Sequence, residues 1–470
     1  MQPVLTVAEM QEVDRKGLES VSLDVLIGRA GRAVADAALD VLGGAYGRRV
    51  VVVAGRGNNG ADGRTAAGLL ARRGASVAVF DAGGTAALPC ADLVIDAAYG
   101  TGFHGEYTPP RLPPDTPVLA VDIPSGVSGD TGVASGSPWS AIRTVTFVAY
   151  KPGLLQGDGA ALAGDVRVAD IGLPAGPSSV AVMEDADVGD LFPRRGRDGN
   201  KWTAAVLVVA GSPGMTGAAT FVADAAYRSG AGMVRLGVPG APLEELPATE
   251  SVAVALPGQG WAQPALEVAE RCRAVVVGPG LGRAEGTAGE VARLVAESPV
   301  PVVVDADALF ALGRLAKGAL APGRSPVVLT PHDGEYARLA GAAPGPDRIA
   351  GARSLAADAG AIVLLKGATT AVADPAGRVL LGTTGSPRLA TAGTGDVLSG
   401  IIGAMVSRGV PPHPAAALAA HVHGRAAGRG RPEGLVAGDL PDLVSDVLSD
   451  LVGGSPTDST APGRREDHRA

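Results

Sequence analysis

Apolar residues along this chain follow two alternating patterns. Near the amino end they recur at helical spacing: Thr6 with Glu9 makes a capping-box signature, and Leu23, Leu26, Ile27, Ala30 and Val34 line one helical face. Two helices are predicted there. After Gly43-Gly44 the pattern changes to short unbroken apolar runs at 50–54, 77–80, 93–95 and 118–121, separated by turn residues and helical stretches. Runs with no polar alternation indicate strands buried on both faces, the mark of a parallel, doubly wound sheet. The rhythm restarts at 206–209, 234–236, 275–277, 302–304, 327–329 and 362–365. A hairpin is predicted over 370–381, then a glycine-rich turn, then helices to about Leu451.

Between Phe192 and Trp202 the chain turns polar and basic, with Arg194, Arg195, Arg197, Asn200 and Lys201 close together. A boundary there gives a first domain over 1–193 and a second over 194–451, followed by a Ser/Pro/Arg-rich tail over 452–470 that reads as disordered. The fold class is α/β in both halves. Two large domains suit 470 residues, which exceed what one core ordinarily covers.

Composition narrows the function. Hydrophobic residues make up 46% and charged ones 19%, and no apolar stretch is long enough to span a bilayer, so no membrane role is expected. Met1 is followed by no basic start and apolar core, so the expected location is the cytoplasm. A net charge of −8 without a basic run argues against nucleic acid as a partner and points to small molecules. Cys90 and Cys272 stand far apart and outside any C-x-x-C, and read as two buried thiols. His421 and His423 lie two apart on a helical pattern, facing different directions, and do not read as a metal pair. Lysine occurs only at positions 16, 151, 201, 317 and 366, so a lysine inside a loop motif stands out.

In the first half, Gly55-Arg56-Gly57-Asn58-Asn59-Gly60 follows a strand and matches G-x-G-x-x-G, with Asp81 ending the next strand. A dehydrogenase reading follows, but Asn58, Asn59 and Asp62 add polar ligands that hydride transfer does not require. Asp96, then Gly100-Thr101-Gly102, and Asp122 within Asp122-Ile123-Pro124-Ser125-Gly126 also fall at strand ends, which converge on one crevice in an open α/β sheet. Lys151 follows a further apolar strand and reads either as a solvated loop charge or as a partner for Asp122 in proton transfer or substrate anchoring.

These motifs resemble the N-terminal domain of the bifunctional NAD(P)H-hydrate repair enzymes, a Rossmann-like three-layer αβα domain. The resemblance implies an epimerase that interconverts the R and S forms of hydrated NADH and NADPH. It places the substrate against Asn58, Asn59, Gly60, Ala61 and Asp62, against Gly100, Thr101, Gly102, Phe103, His104, Gly105 and Glu106, and against Asp122. It also implies a potassium ion held by Asn59, Asp96 and Ser125, an oxygen donor set suited to a hard cation. Ala61 stands where the family usually has glycine. Acid/base assistance would serve either loss and re-addition of the hydroxyl or ring opening and closure, and the residues do not choose between the two.

In the second half, Thr391-Ala392-Gly393-Thr394-Gly395-Asp396 precedes the helical pattern Val397, Leu398, Ile401, Ile402. Such a turn aims backbone amides and a helix N-terminus at an anion, where a carboxylate is badly placed unless it serves as a base. Gly-x-Gly-Asp before a helix resembles the ribokinase-like αβα fold. The surrounding motifs resemble, in order, ADP/ATP-dependent NAD(P)H-hydrate dehydratase: Ala210-Gly211-Ser212 with Thr216–Ala219, Gly278–Gly282, Asp305–Leu309, Thr330–Glu335 and Leu365-Lys366-Gly367. The resemblance implies that Ala218, Gly282, His332 and Asp396 contact the hydrated dinucleotide, and that Lys366, Gly367, Ala368, Thr369, Thr370 and Gly395 bind the adenine nucleotide. Asp333 replaces the family's usual proline. ADP or ATP would be co-substrate, with Mg²⁺ accompanying it. The expected partners are the hydrated dinucleotides and ADP, and a homo-oligomer is expected. A ribokinase-like small-molecule kinase with an accessory domain and a non-catalytic nucleotide sensor stand as alternatives.

Overall fold

A computed structural model describes residues 1–84, 87–197, 199–246, 250–321 and 323–453. The tail assigned to 452–470 therefore lies, from residue 454 on, outside the described residues. Two compact units emerge, interleaved along the chain. The first joins Met1–Val182 to His332–Asp358 and Leu365–Thr383, and the second joins Met183–Pro331, Ala359–Leu364 and the chain from Thr384.

The first unit opens with the two expected helices, Val7–Gly17 and Leu23–Leu42. Thr6 and Glu9 cap the first of them reciprocally: Thr6 Oγ1 accepts from the Glu9 amide at 3.2 Å, and the Thr6 amide donates to Glu9 Oε2 at 2.8 Å. Six parallel strands follow, with Arg49–Ala54 between Ser76–Asp81 and Leu93–Ala97, then Val118–Val121, Arg143–Phe147 and Asp165–Ala169 outward. Alternate residues of each strand serve opposite faces. Val50, Val52, Leu93, Ile95 and Leu119 pack beneath Leu23–Leu42 and Asn58–Arg72, while Val51, Val53, Val94 and Ala120 pack against Leu88, Tyr107 and Trp139 from connecting segments. The same unit contains the predicted hairpin, Thr370–Ala373 against Val379–Gly382, whose second strand pairs in parallel with Val180–Val182.

The second unit carries parallel strands, with Ala205–Val209 flanked by Met233–Gly237 on one side and Ala274–Val277 on the other. Beyond Ala274–Val277 come Val302–Val304, Val327–Leu329 and Ile362–Leu365. Helix Thr394–Ser407 is buried over most of its length. Glycine sets its depth: a Cβ on Gly400 would lie 2.3 Å from the Val222 carbonyl oxygen, and one on Gly403 would lie 2.5 Å from a Val276 methyl. The helix consequently packs directly on Gly217–Arg228 and on the sheet.

One expectation fails. Cys272 is buried, and burial pushes its thiol up to about 11, but Cys90 is exposed. Cys90 sits in irregular chain ahead of the strand Leu93–Ala97, where no sheet face is available to cover it. Among the described residues no helix is long and apolar enough to cross a membrane.

Candidate active sites

In the first unit the chain leaves Arg49–Ala54 toward one edge of the sheet and returns on its other side at Leu93–Ala97. This is a switch point, where the loops after the two strands diverge and leave a crevice. The loop after the first strand runs into helix Asn58–Arg72, and Gly60 is obligatory there, since a Cβ would stand 1.9 Å from the Gly55 carbonyl oxygen. Replacing Gly60 with alanine is expected to shift this helix start, with a fall in thermal midpoint measurable by calorimetry.

A cavity of about 790 Å³ opens at the switch point. It brings together Asn58, Asn59, Asp62, Gly100, Thr101, Gly102, Phe103, His104, Asp122 and Lys151. Gly60, Ala61, Gly105 and Glu106 flank this lining without joining it. The two N-terminal helices supply the opposite wall through Met10, Asp14, Leu23 and Ile27, which the sequence reading did not assign to a site. Leu18 and Leu23 gave a signal: both are large apolar residues left exposed, on the rim of a cavity.

Lys151 is 2% exposed, so the reading of a solvated loop charge is excluded. Its Nζ lies 2.8 Å from Asp122 Oδ1 and donates to Thr146 Oγ1 at 2.7 Å and to the Phe147 carbonyl at 2.9 Å. Thr146 Oγ1 lies 3.1 Å from Asp122 Oδ1, and the Thr101 amide donates to Oδ2 at 3.3 Å. Asp122 also holds a positive φ of 67°, a backbone state that L-residues rarely adopt and that often marks functional sites. Burial works against its charge, but the charge and hydrogen bond of Lys151 outweigh it and hold the carboxyl below its ordinary range. Asp62 lies in the opposite regime: burial first, then the charge of Asp122, push it up to about 8. The folded state therefore keeps a proton that the unfolded chain releases near pH 4, so this group's contribution to stability falls as pH rises from about 4 to about 8. An Asp62→Asn variant is expected to show a flatter dependence of thermal midpoint on pH across that window.

Asp96 is buried at 1% exposure and receives the Ser125 amide at 2.9 Å on Oδ2 and the Ser125 hydroxyl at 2.6 Å on Oδ1. Burial raises its carboxyl above the usual range. Both polar atoms of the Asn59 side chain are buried and without a hydrogen-bond partner among the described residues. An orphaned amide oxygen and a buried carboxylate and hydroxyl on neighbouring strand-end loops fit a hard, weakly hydrated cation.

The second unit has its own switch point, between Ala205–Val209 and Ala274–Val277. The two strand-end loops interlock: the Gly211 amide donates to the Pro279 carbonyl at 2.7 Å, and a Cβ on Gly280 would lie 3.0 Å from that of Ala218. Gly282 donates its amide to Asp307 Oδ2 at 2.9 Å. The Ser399 hydroxyl donates to buried Asp305 at 2.7 Å, which ties the Asp305–Asp307 loop to helix Thr394–Ser407. Asp396 stands in the first turn of this helix behind Gly393, whose φ is 90° and whose Cβ position is filled by the Phe221 ring. Gly395 shares this turn, and the remaining candidates, His332 and Lys366 to Thr370, lie in the first unit. His332 caps helix Asp333–Ala340, its Nδ1 accepting from the amides of Gly334 and Glu335 at 3.0 and 3.3 Å, so the proton of the neutral ring is on Nε2. Asp333, at the proline position, pairs with Arg348 at 2.8 Å, and Arg348 donates to the Lys366 carbonyl at 2.6 Å.

The family model described as NAD(P)H-hydrate dehydratase matches residues 206–449, and that of the YjeF-related protein N-terminus matches 23–89 and 81–153. The chain is 40% identical over 396 residues to the bifunctional NAD(P)H-hydrate repair enzyme of Moorella thermoacetica, covering 78% of this chain and 74% of the relative. The chain belongs to the bifunctional NAD(P)H-hydrate repair enzyme family. The corresponding enzyme of Mycobacterium tuberculosis is 43% identical over 336 residues, covering 69% of this chain and 67% of its own. Among solved structures, the ADP/ATP-dependent NAD(P)H-hydrate dehydratase of Bacillus subtilis, co-crystallised with ATP/Mg²⁺, is 28% identical and covers 57% of this chain and 97% of its own, at a TM-score of 0.47. As a NAD(P)H-hydrate repair enzyme the chain joins an epimerase to a dehydratase. The first unit's parallel strands from Arg49 to Phe147 lie in the stretch matched by the YjeF-related model, and the second unit's parallel strands lie, from Val206 on, in the stretch matched by the dehydratase model.

Proposed function

We propose that residues 1–193 epimerise the R and S hydrates of NADH and NADPH, and that residues 194–451 dehydrate the S form at the expense of ADP, releasing AMP and phosphate. The observation that carries the epimerase reading is the buried Lys151–Asp122 pair on the wall of a cavity large enough for a hydrated nicotinamide ring. Asp122 is the base: its Oδ1 is engaged by Lys151 and Thr146, its Oδ2 accepts the longer Thr101 amide bond, and the residue lines the cavity. Lys151 keeps it ionised and stands ready to return a proton. Asn58, Asn59 and the amides of Gly100, Thr101 and Gly102 would orient the substrate.

Asn59, Asp96 and Ser125 would hold potassium, which supplies a fixed positive charge for a substrate phosphate or developing oxyanion. An Asp96→Asn variant is expected to lose most of its epimerase rate together with its dependence on potassium. Wild-type rates that are equal in potassium and in tetramethylammonium would remove the cation from the reaction.

For the dehydratase part, hydroxide is a poor leaving group and phosphate a good one. Asp396 takes the proton of the substrate hydroxyl as its oxygen attacks the terminal phosphoryl of ADP, and the Gly393–Gly395 amides stabilise the developing charge. Elimination of phosphate then restores the reduced nicotinamide. Ala218 and Gly282 would border the dinucleotide, and Gly395 would meet the adenine nucleotide with its Mg²⁺. The test supplies mixed hydrates with ADP or ATP and follows reduced-nicotinamide absorbance together with AMP or ADP. Full recovery of absorbance from both epimers is the expected result. A stable phosphorylated product would instead establish a kinase.

A further inference from the structure

We propose that a second-unit cavity lined by Phe192, Arg194, Arg195, Ser229 and Arg408 binds the phosphoryl group of a small organic phosphate. None of these residues belongs to either catalytic constellation. The cavity measures about 500 Å³, is also bordered by Arg228, Leu448 and Val452, and has no carboxylate in its lining among the described residues.

Four guanidinium groups gather here, and only one is matched by an acid. Arg228 pairs with Asp442 at 2.9 Å, whereas Arg194, Arg195 and Arg408 form no ion pair among the described residues. Backbone carbonyls hold these three in place instead. Arg194 donates to the Val452 carbonyl at 3.3 Å, and Arg195 donates to those of Gly230 at 3.0 Å and Ala231 at 3.3 Å. Arg408 donates to the Gly230 carbonyl at 3.5 Å and to that of Pro193, with its guanidinium 5.2 Å from the centre of the Phe192 ring. A guanidinium carries five N–H donors, so each of the three keeps at least three for a ligand. Burial, and then the charge of Arg195, hold Arg408 below the usual guanidinium range.

The second observation is independent of charge. Ser229 is fully buried, lines the cavity, and its Oγ has no hydrogen-bond partner among the described residues. A buried hydroxyl without a partner is costly, as are like charges held together without a counter-ion. A phosphate dianion resolves both, because its tetrahedral oxygens accept from guanidinium forks and from a hydroxyl at once. A bare phosphate leaves much of 500 Å³ empty. Phe192, Leu448 and Val452 give the remaining space an apolar wall, which selects a phosphate carrying an organic group.

The test is calorimetric titration of the full chain, saturated with ADP and Mg²⁺, with phenyl phosphate and separately with inorganic phosphate. One equivalent of phenyl phosphate is expected to bind, more tightly than inorganic phosphate does. Arg195→Gln and Ser229→Ala should each weaken it about tenfold, the strength of one charge-assisted hydrogen bond. Affinity for ADP should not change. Ser229→Ala removes a hydroxyl with no internal partner, so its thermal midpoint should match or exceed that of the wild type, which separates loss of the site from loss of the fold. The proposal is overturned by the absence of a phenyl phosphate equivalent, or by wild-type affinity in both variants. Equal affinity for the two phosphates overturns its organic part. Failure of ADP to bind would count against the dehydratase reading alone, because the two sites share no residue.

Discussion

An Asp396→Asn variant is expected to dehydrate about 10²–10⁴-fold more slowly than the wild type, the range that a general base contributes. The substitution keeps the size and hydrogen-bonding reach of the side chain and removes its basicity. The scaffold should survive, because packing fixes helix Thr394–Ser407: Gly400 and Gly403 seat it, and Ser399 anchors it to Asp305 at 2.7 Å. Losing a negative charge from the first turn of a helix costs only about 0.3–1 kcal/mol. Nucleotide affinity should persist or tighten, since the carboxylate and a bound phosphate repel each other. Epimerisation should be unchanged. Single-turnover dehydration with a separate epimer assay checks this, and a folded variant dehydrating near the wild-type rate would exclude Asp396 as the base.

The second large effect is expected at Lys151→Met. This change leaves Asp122 buried beside Thr146 with no counter-charge, and breaking one side of a buried pair costs about 3–5 kcal/mol. The variant should lose thermal stability and its epimerase activity together, while protein that remains folded still dehydrates the S epimer. An Asp122→Asn, Lys151→Met double variant separates the two losses. Removing both charges should recover much of the stability and none of the epimerisation, because the two residues couple through one contact. Epimerisation by either variant at the wild-type rate would show that the pair serves the fold alone.

The sequence was informative wherever chemistry is local. Unbroken valine runs predicted the parallel strands, because a strand covered on both faces tolerates no polar alternation. Glycine-rich turns predicted the strand ends that carry the sites, because only glycine accepts positive φ at Gly393 or a carbonyl 1.9 Å from its Cβ position at Gly60. Asp122 and Lys151 were legible as candidates from their strand-end positions and the scarcity of lysine. The missed features are those whose partners lie far away in the chain. Asp14 and Met10 read as an ordinary amphipathic helix, and only packing across the strand ends makes them a cavity wall. Cys90 reads like any small apolar residue, and its exposure depends on which segments cover the loop.

The sequence alone thus determined the two α/β halves, the strands, and which residue types stand at the strand ends, because these follow from local periodicity and backbone sterics. Tertiary structure alone decided which of them meet. Asp122, Lys151 and Thr146 lie 2.7–3.1 Å from one another because two neighbouring parallel strands end side by side. Likewise only long-range packing draws His332–Asp358 and Leu365–Thr383 into the first compact unit. Gln156 shows how: its Oε1 accepts from the Arg348 amide at 3.0 Å, and its Nε2 donates to the Asp130 carbonyl at 2.8 Å. Hydrogen bonds between residues nearly two hundred positions apart leave no periodic trace in the sequence, because they depend on where two surfaces come to rest after the local elements have formed.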